Sequence, residues 1–181
     1  MSNTTANEVI ARLNKFEKDL PNKVEQYLKL IGEKGVEHAS EELTLMDRYG
    51  SLGFTKQTTR YEMQGEKEVI VHNNYILAPF VEFGTGVRGR NHPHPLSSEF
   101  GWGYIIHPDN FTFYDGHYGW WYPTTIDDPN TTLRQVLDEK GNPTGQYIAF
   151  TQGMESRPFM HNTFNYLRKN LRELATEIFD E

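Results

Sequence analysis

Apolar positions near the N-terminus recur at helical spacing. Val9, Ile10, Leu13, Phe16 and Leu20 step mostly by three and four, which places them on one face of an amphipathic helix. Pro21 interrupts the pattern and opens a second helix, because its missing N–H is no loss in a first turn. Val24, Tyr27, Leu28 and Ile31 keep the period, and Val36, Ala39, Leu43 and Met46 extend it. Gly32 and Gly35 each weaken a helix by about 1 kcal/mol relative to alanine and mark a bend between two segments. Gly50 and Gly53 end the region, so 1–48 is predicted helical.

The period then changes to two. Thr59, Tyr61 and Met63 alternate with Arg60 and Glu62, and Val69 and Val71 alternate with Glu68, Ile70 and His72. With Gln64-Gly65-Glu66 between them, the two runs predict a β-hairpin. The segment from Tyr75 to Phe83 is apolar, but Pro79 biases Ala78 away from helix, so it reads as extended or at most one helical turn. Gly84-Thr85-Gly86 follows, and then an aperiodic stretch from Val87 to Gly101, predicted as a long loop. Phe111, Phe113 and Tyr118, Trp120 flank Asp115-Gly116, a strong hairpin-turn dipeptide, and Pro123 closes that ribbon. The polar insert from Ile126 to Thr144 reads as a loop or short helix around Leu133 to Leu137, and Tyr147, Ile148 and Phe150 as one more strand.

The clearest element is the last. Pro158 starts a helix in which Met160, Phe164, Leu167, Leu171, Leu174 and Ile178 step alternately by four and three, flanked by Arg168, Lys169, Arg172 and Glu173. The pattern predicts a single α+β domain over 1–181: N-terminal helices (1–48), an antiparallel sheet of hairpins with long loop insertions, and a long C-terminal helix packed on the sheet. The sheet occupies 58–150 with the long loop at 87–101, and the helix 158–180.

Composition narrows the chemistry. The net charge of −7 argues against a surface that grips nucleic acid non-specifically. No cysteine is present, which excludes disulfide frameworks, thiolate zinc sites and cysteine nucleophiles. No apolar run approaches the roughly 20 residues needed to span a bilayer, and Met1 to Thr5 lacks the basic start of a signal peptide. A soluble product made in the cytoplasm is expected. Only 36% of residues are hydrophobic while 13% are aromatic, which hints at apolar surface kept for neighbouring chains.

Gly84-Thr85-Gly86-Val87-Arg88-Gly89 matches the dinucleotide fingerprint letter for letter, but Pro93 and Pro95 argue against the helix that reading requires, and the βαβ frame is missing. A tight glycine turn is the better reading. His92 and His94, with a third ligand such as His107, would suit a metal, yet no ligand set is complete and a surface His-Pro loop is preferred. His38, near Glu41 and Glu42, sits on an ordinary polar helix face. Ser97-Ser98 has no nucleophile elbow around it, and Glu82, Asp109, Asp115 and Asp127 read as solvated acids by default. Trp102, Tyr104, Tyr118, Trp120, Trp121 and Tyr122 are numerous enough for a stacking platform. Trp120 and Trp121 must point to opposite faces of a regular strand, and contact with a partner subunit is the preferred use of the outward ring.

Two separated pieces carry a family likeness: Tyr75-Ile76-Leu77-Ala78-Pro79-Phe80-Val81-Glu82-Phe83-Gly84-Thr85-Gly86, and Gly153-Met154-Glu155-Ser156-Arg157-Pro158-Phe159-Met160. Together they resemble the head–tail joining proteins of tailed bacteriophages, the neck, tail-completion and tail-terminator components. Leu77 stands where that family has a tyrosine, and 87–144 is longer and more aromatic than is common there. The resemblance implies a non-enzymatic virion protein, made in the host cytoplasm and assembled as a six- or twelve-fold ring in the neck. Head connector or stopper proteins would lie on one side and major tail or tail-tube proteins on the other. DNA would pass through the lumen without specific binding, and no membrane, cofactor or metal is implied. Glu82, Phe83, Gly84, Thr85 and Gly86 would form the turn that positions the following loop, with Arg88 at its start. Arg157, Pro158 and Phe159 would set the last helix against the sheet. The loop Val87 to Gly101 would project toward the lumen or an adjacent ring. The alternatives are a carbohydrate-binding or carbohydrate-active protein using the aromatic hairpin, and a histidine-metal hydrolase centred on His92 and His94.

Overall fold

In chain order the computed structural model contains α1 (Ala6–Met46), β1 (Thr59–Gln64), β2 (Glu68–Asn73), α2 (Ala78–Phe83), α3 (Gly86–Asn91), β3 (Thr112–Tyr114), β4 (His117–Thr124), β5 (Leu133–Leu137), β6 (Pro143–Thr151) and α4 (Phe159–Phe179). The structure describes residues 5–46, 57–104, 112–127 and 132–180. Gly50, Gly53, His107, Asp109 and Phe111 lie outside the described residues. The class is α+β. Contacts divide the chain into two compact units: Met1–Leu45, Gly53–Tyr75 and Met160–Glu181 form the first, Met46–Leu52 and Ile76–Phe159 the second. Among the described residues no helix is long and apolar enough to cross a membrane.

The first unit is built on α1. A capping box starts it: the Thr5 N–H donates to Glu8 Oε2 at 2.8 Å, and the Glu8 N–H donates back to Thr5 Oγ1 at 3.4 Å. The helix then runs unbroken for 41 residues with Pro21 inside it, so the expected pair of N-terminal helices is one. Proline removes one backbone bond, and Pro21 sits on an exposed turn where water can satisfy the freed carbonyl. The flanks are helical in their own right, one from its cap and the other from packing.

That packing also corrects the reading of Gly32 and Gly35. They mark no bend; they are seats. A Cβ on Gly32 would lie 2.5 Å from Tyr61 Cδ2 on β1, and one on Gly35 would lie 2.6 Å from Val71 Cγ2 on β2 and 3.3 Å from Leu167 Cδ1 on α4. The β1–β2 hairpin is antiparallel, pairing Thr59 with Asn73, Tyr61 with Val71 and Met63 with Val69, so these residues share a face as their alternation predicts. The C-terminal helix packs against this two-stranded sheet and along α1, meeting both at Gly35. It runs antiparallel to α1: Asn162 donates to Glu42, His38 stacks on Tyr166 at 4.1 Å, and Tyr27 Oη donates to the Leu171 carbonyl at 2.8 Å. At its end Lys23 Nζ donates to the Ile178 carbonyl at 2.8 Å. Within the predicted seam Leu174 is buried, but Phe164 and Leu171 stay 61% and 41% exposed, so α4 is covered on only part of that face.

The second unit holds a four-stranded antiparallel sheet in the order β3-β4-β6-β5. Asp115 and Gly116 both take positive φ (50° and 80°), the conformation that a two-residue hairpin turn requires. Pro123 does not close the ribbon: β4 continues to Thr124 and pairs Pro123 with Ile148. Leu133 to Leu137 is neither loop nor short helix but strand β5. It is drawn into the sheet by β6 through a turn in which Asp138 accepts the backbone N–H groups of Lys140 and Asn142.

Candidate functional site

The site is a junction, inside the second unit, between the segment 78–94 and the segment 152–157. Pro79 lies in the first turn of α2, where a missing N–H is harmless, so the apolar run becomes a six-residue helix instead of the expected extended segment or single helical turn. Gly84 ends it with φ 77° and donates its N–H to the Phe80 carbonyl at 2.9 Å. Thr85 is extended, and α3 opens at Gly86 and lasts until Asn91, just before His92-Pro93. A helix does follow the glycine motif, but it is only six residues long.

Backbone meets backbone here. The Thr85 N–H donates to the Met154 carbonyl at 2.8 Å, the Arg88 N–H to Gln152 at 3.2 Å, the Arg157 N–H to Val81 at 2.9 Å and the Ser156 N–H to His92 at 3.2 Å. Side chains fill the gaps. Thr85 Oγ1 accepts the Met154 N–H at 3.1 Å and Ser156 Oγ donates to the Glu82 carbonyl at 2.6 Å. Such close approach demands glycine. A Cβ on Gly84 would stand 2.6 Å from Ser156 N, and one on Gly153, whose φ is 90°, would collide with the Thr85 carbonyl. One on Gly86 would meet the Gln152 carbonyl and, at 2.7 Å, Trp120 Cζ3, which shows where the Trp120 ring packs.

Beneath the turn lies a buried polar pair. Glu82 and His94 are 8% and 3% exposed, with His94 Nε2 3.0 Å from Glu82 Oε1. The Leu96 N–H points at His94 Nδ1 at 3.0 Å, which leaves the ring proton on Nε2 to be donated to the carboxylate. Phe83 stacks on Trp102 at 5.0 Å and touches the rings of His94 and Phe100, while Trp102 Nε1 donates to the Gly84 carbonyl at 3.0 Å. The stretch Val87 to Gly101 is therefore no projecting loop. Its first residues are helix α3, and His94, Phe100 and Trp102 fold the remainder back onto α2.

The predicted site residues fall into three places. Glu82, Phe83, Gly84, Thr85, Gly86, Trp120 and Arg157 meet at the junction. Arg88 lends its backbone to it while the residue stays exposed, and Pro158 leads into a fully buried Phe159. Trp121 lies on the other face of the sheet, as alternation requires, with Tyr114 at 5.0 Å and Phe150 at 5.4 Å. The Arg134 guanidinium covers it, 4.7 Å from its ring and 4.5 Å from that of Tyr114. Tyr114, Phe150 and Arg134 thus pack on the Trp121 ring from within its own sheet. His92 is exposed and separate from buried His94, and among the described residues no three His, Asp or Glu side chains gather as metal ligands. The Glu82–His94 and Arg134–Trp121 pairs carry no sequence signal, since each joins residues from different elements. Compared with family models, curated proteins and solved structures, the chain matches none.

Proposed function

We propose that the chain is a structural component of a phage neck, one wedge of a six- or twelve-fold ring that joins the head connector to the tail in a tail-completion or tail-terminator role. One observation carries the reading. The two segments that bear the family likeness, 69 residues apart at Thr85 and Met154, are laced together by backbone hydrogen bonds across glycines. The polar side chains there hold structure: Thr85 caps Met154, Ser156 ties Glu82, and His94 sits on the Glu82 carboxylate. A rigid turn of this kind suits a subunit whose task is shape. The net charge of −7 supports the same reading, because a lumen that passes DNA should not hold phosphates. Closed rings further need heterologous contacts, for which exposed Phe100, Phe113 and Tyr118 offer apolar anchors.

The test is localisation in purified mature particles, by antibody labelling at the neck and by subunit counting. Six or twelve copies at the head–tail boundary are expected. Mature virions of the source phage that never contain the polypeptide would end the proposal.

A further inference from the structure

The first part of α1 is an arm. The α4 helix meets α1 from Glu42 back to Lys23, and from there toward the N-terminus the large apolar side chains of α1 are exposed. Along that stretch lie Val9, Leu13, Phe16 and Leu20, spaced four, three and four, and 45%, 61%, 48% and 37% exposed. They fall on the face that, two turns beyond Leu20, carries Tyr27 against Leu171 and Phe179. A helix seated there would prolong α4 end to end. Five large apolar side chains, Ile10 included, are bare on a helix of about four turns, more than scattered surface hydrophobes explain.

We infer that a second copy of this chain covers the arm, with the two arms lying antiparallel so that Val9 faces Leu20 of the second copy and Leu13 faces its Phe16. Three observations select this occupant. The four-three-four spacing is that of a two-helix seam, and its sequence is its own complement when reversed. In that register the flanking Arg12 lies beside Asp19 of the second copy, and the symmetry makes the same pair twice. Arg12 beside Glu17 would suit a parallel pair equally well, but there the two α1 helices would stay together beyond Leu20, where α4 already occupies the face. Antiparallel arms overlap only up to Leu20 and place the two bodies at opposite ends. The stripe also opens into a cleft lined by Leu20, Pro21, Val24 and Met63, where the first helical turn of the second copy would land. This inference concerns the free protein and does not rest on the neck reading.

The full-length protein should show a monomer–dimer equilibrium in sedimentation velocity, with a dissociation constant in the micromolar range. Leu13→Glu should weaken it by about a hundredfold, because a charge replaces a seam residue. Arg12→Asp or Asp19→Arg alone should weaken it about tenfold, and the double exchange R12D/D19R should restore it. A parallel pair would gain nothing from that second change. The chain has no cysteine, so mixing Leu13→Cys with Phe16→Cys chains should give a heterodisulfide faster than either forms with itself. Circular dichroism checks that each variant folds. A wild-type protein that stays monomeric at millimolar concentration, or a double exchange that restores nothing, overturns the inference.

Discussion

The two units solve the same packing problem in different ways. In the first, side chains meet a helix: Tyr61 and Val71 of the hairpin and Leu167 of α4 settle into notches left by Gly32 and Gly35. In the second, main chain meets main chain, and Gly84, Gly86 and Gly153 let two loops approach within hydrogen-bonding distance. The obstacle that an added methyl would meet is a movable ring in one case and a carbonyl in the other. The second unit should therefore forgive far less.

Gly153→Val breaks the comparison most severely. It demands a positive φ of a β-branched residue and drives Cβ into the Thr85 carbonyl, so a loss of at least about 3 kcal/mol is expected in chemical denaturation, with no rescuing partner. His94→Ala comes next. It strips the imidazole from the buried Glu82 carboxylate and frees the Leu96 N–H, which should cost about 2–4 kcal/mol and loosen hydrogen-exchange protection around Leu96. Gly32→Ala should cost only about 1–2 kcal/mol, since better helix propensity offsets part of the overlap with Tyr61. Here rescue is possible: Tyr61→Val in the same chain should recover most of the loss, giving a favourable coupling in a double-mutant cycle. A rescued Gly153→Val, or a Gly32→Ala that no Tyr61 change relieves, would reverse the contrast.

The smallest effect lies in the β5–β6 turn. Asp138 accepts the backbone and side-chain N–H groups of Asn142 together with the Lys140 N–H, and these bonds hold its carboxyl below the usual carboxylate range. A lowered folded-state pKa means the stabilisation is present above the unfolded value and fades as pH falls through the folded one. The Asn142 and Lys140 amide resonances should then titrate at lower pH than an unstructured aspartate, and Asp138→Asn should abolish that transition.

Much of the fold was legible where its signals are local. The apolar steps of α4, the alternation about Gly65 and the positive-φ pair Asp115-Gly116 are each visible within a window of a few residues. Strand β5 was not. Leu133, Val136 and Leu137 alternate weakly, and pairing with β6 makes them a strand. Pro79 misled for a related reason: the harm a proline does depends on whether its N–H is needed, and in the first turn of α2 it is not; β4 likewise runs through Pro123 to Thr124. The junction was legible as two motifs and illegible as one site, because the bonds that join them lie between backbones 69 positions apart at Thr85 and Met154.

By itself the sequence determined the α+β class, the β1–β2 and β3–β4 hairpins, the terminal helix and the glycine turn, since each follows from periodicity or backbone freedom within one segment. The tertiary structure alone decided that Gly32 is a seat rather than a bend, that His94 belongs to Glu82, that Trp121 lies under Arg134, and that the start of α1 is left bare. The physical reason is that local preferences act through a few neighbouring torsions. Burial, pairing and collision depend on atoms that the chain brings together only when it folds.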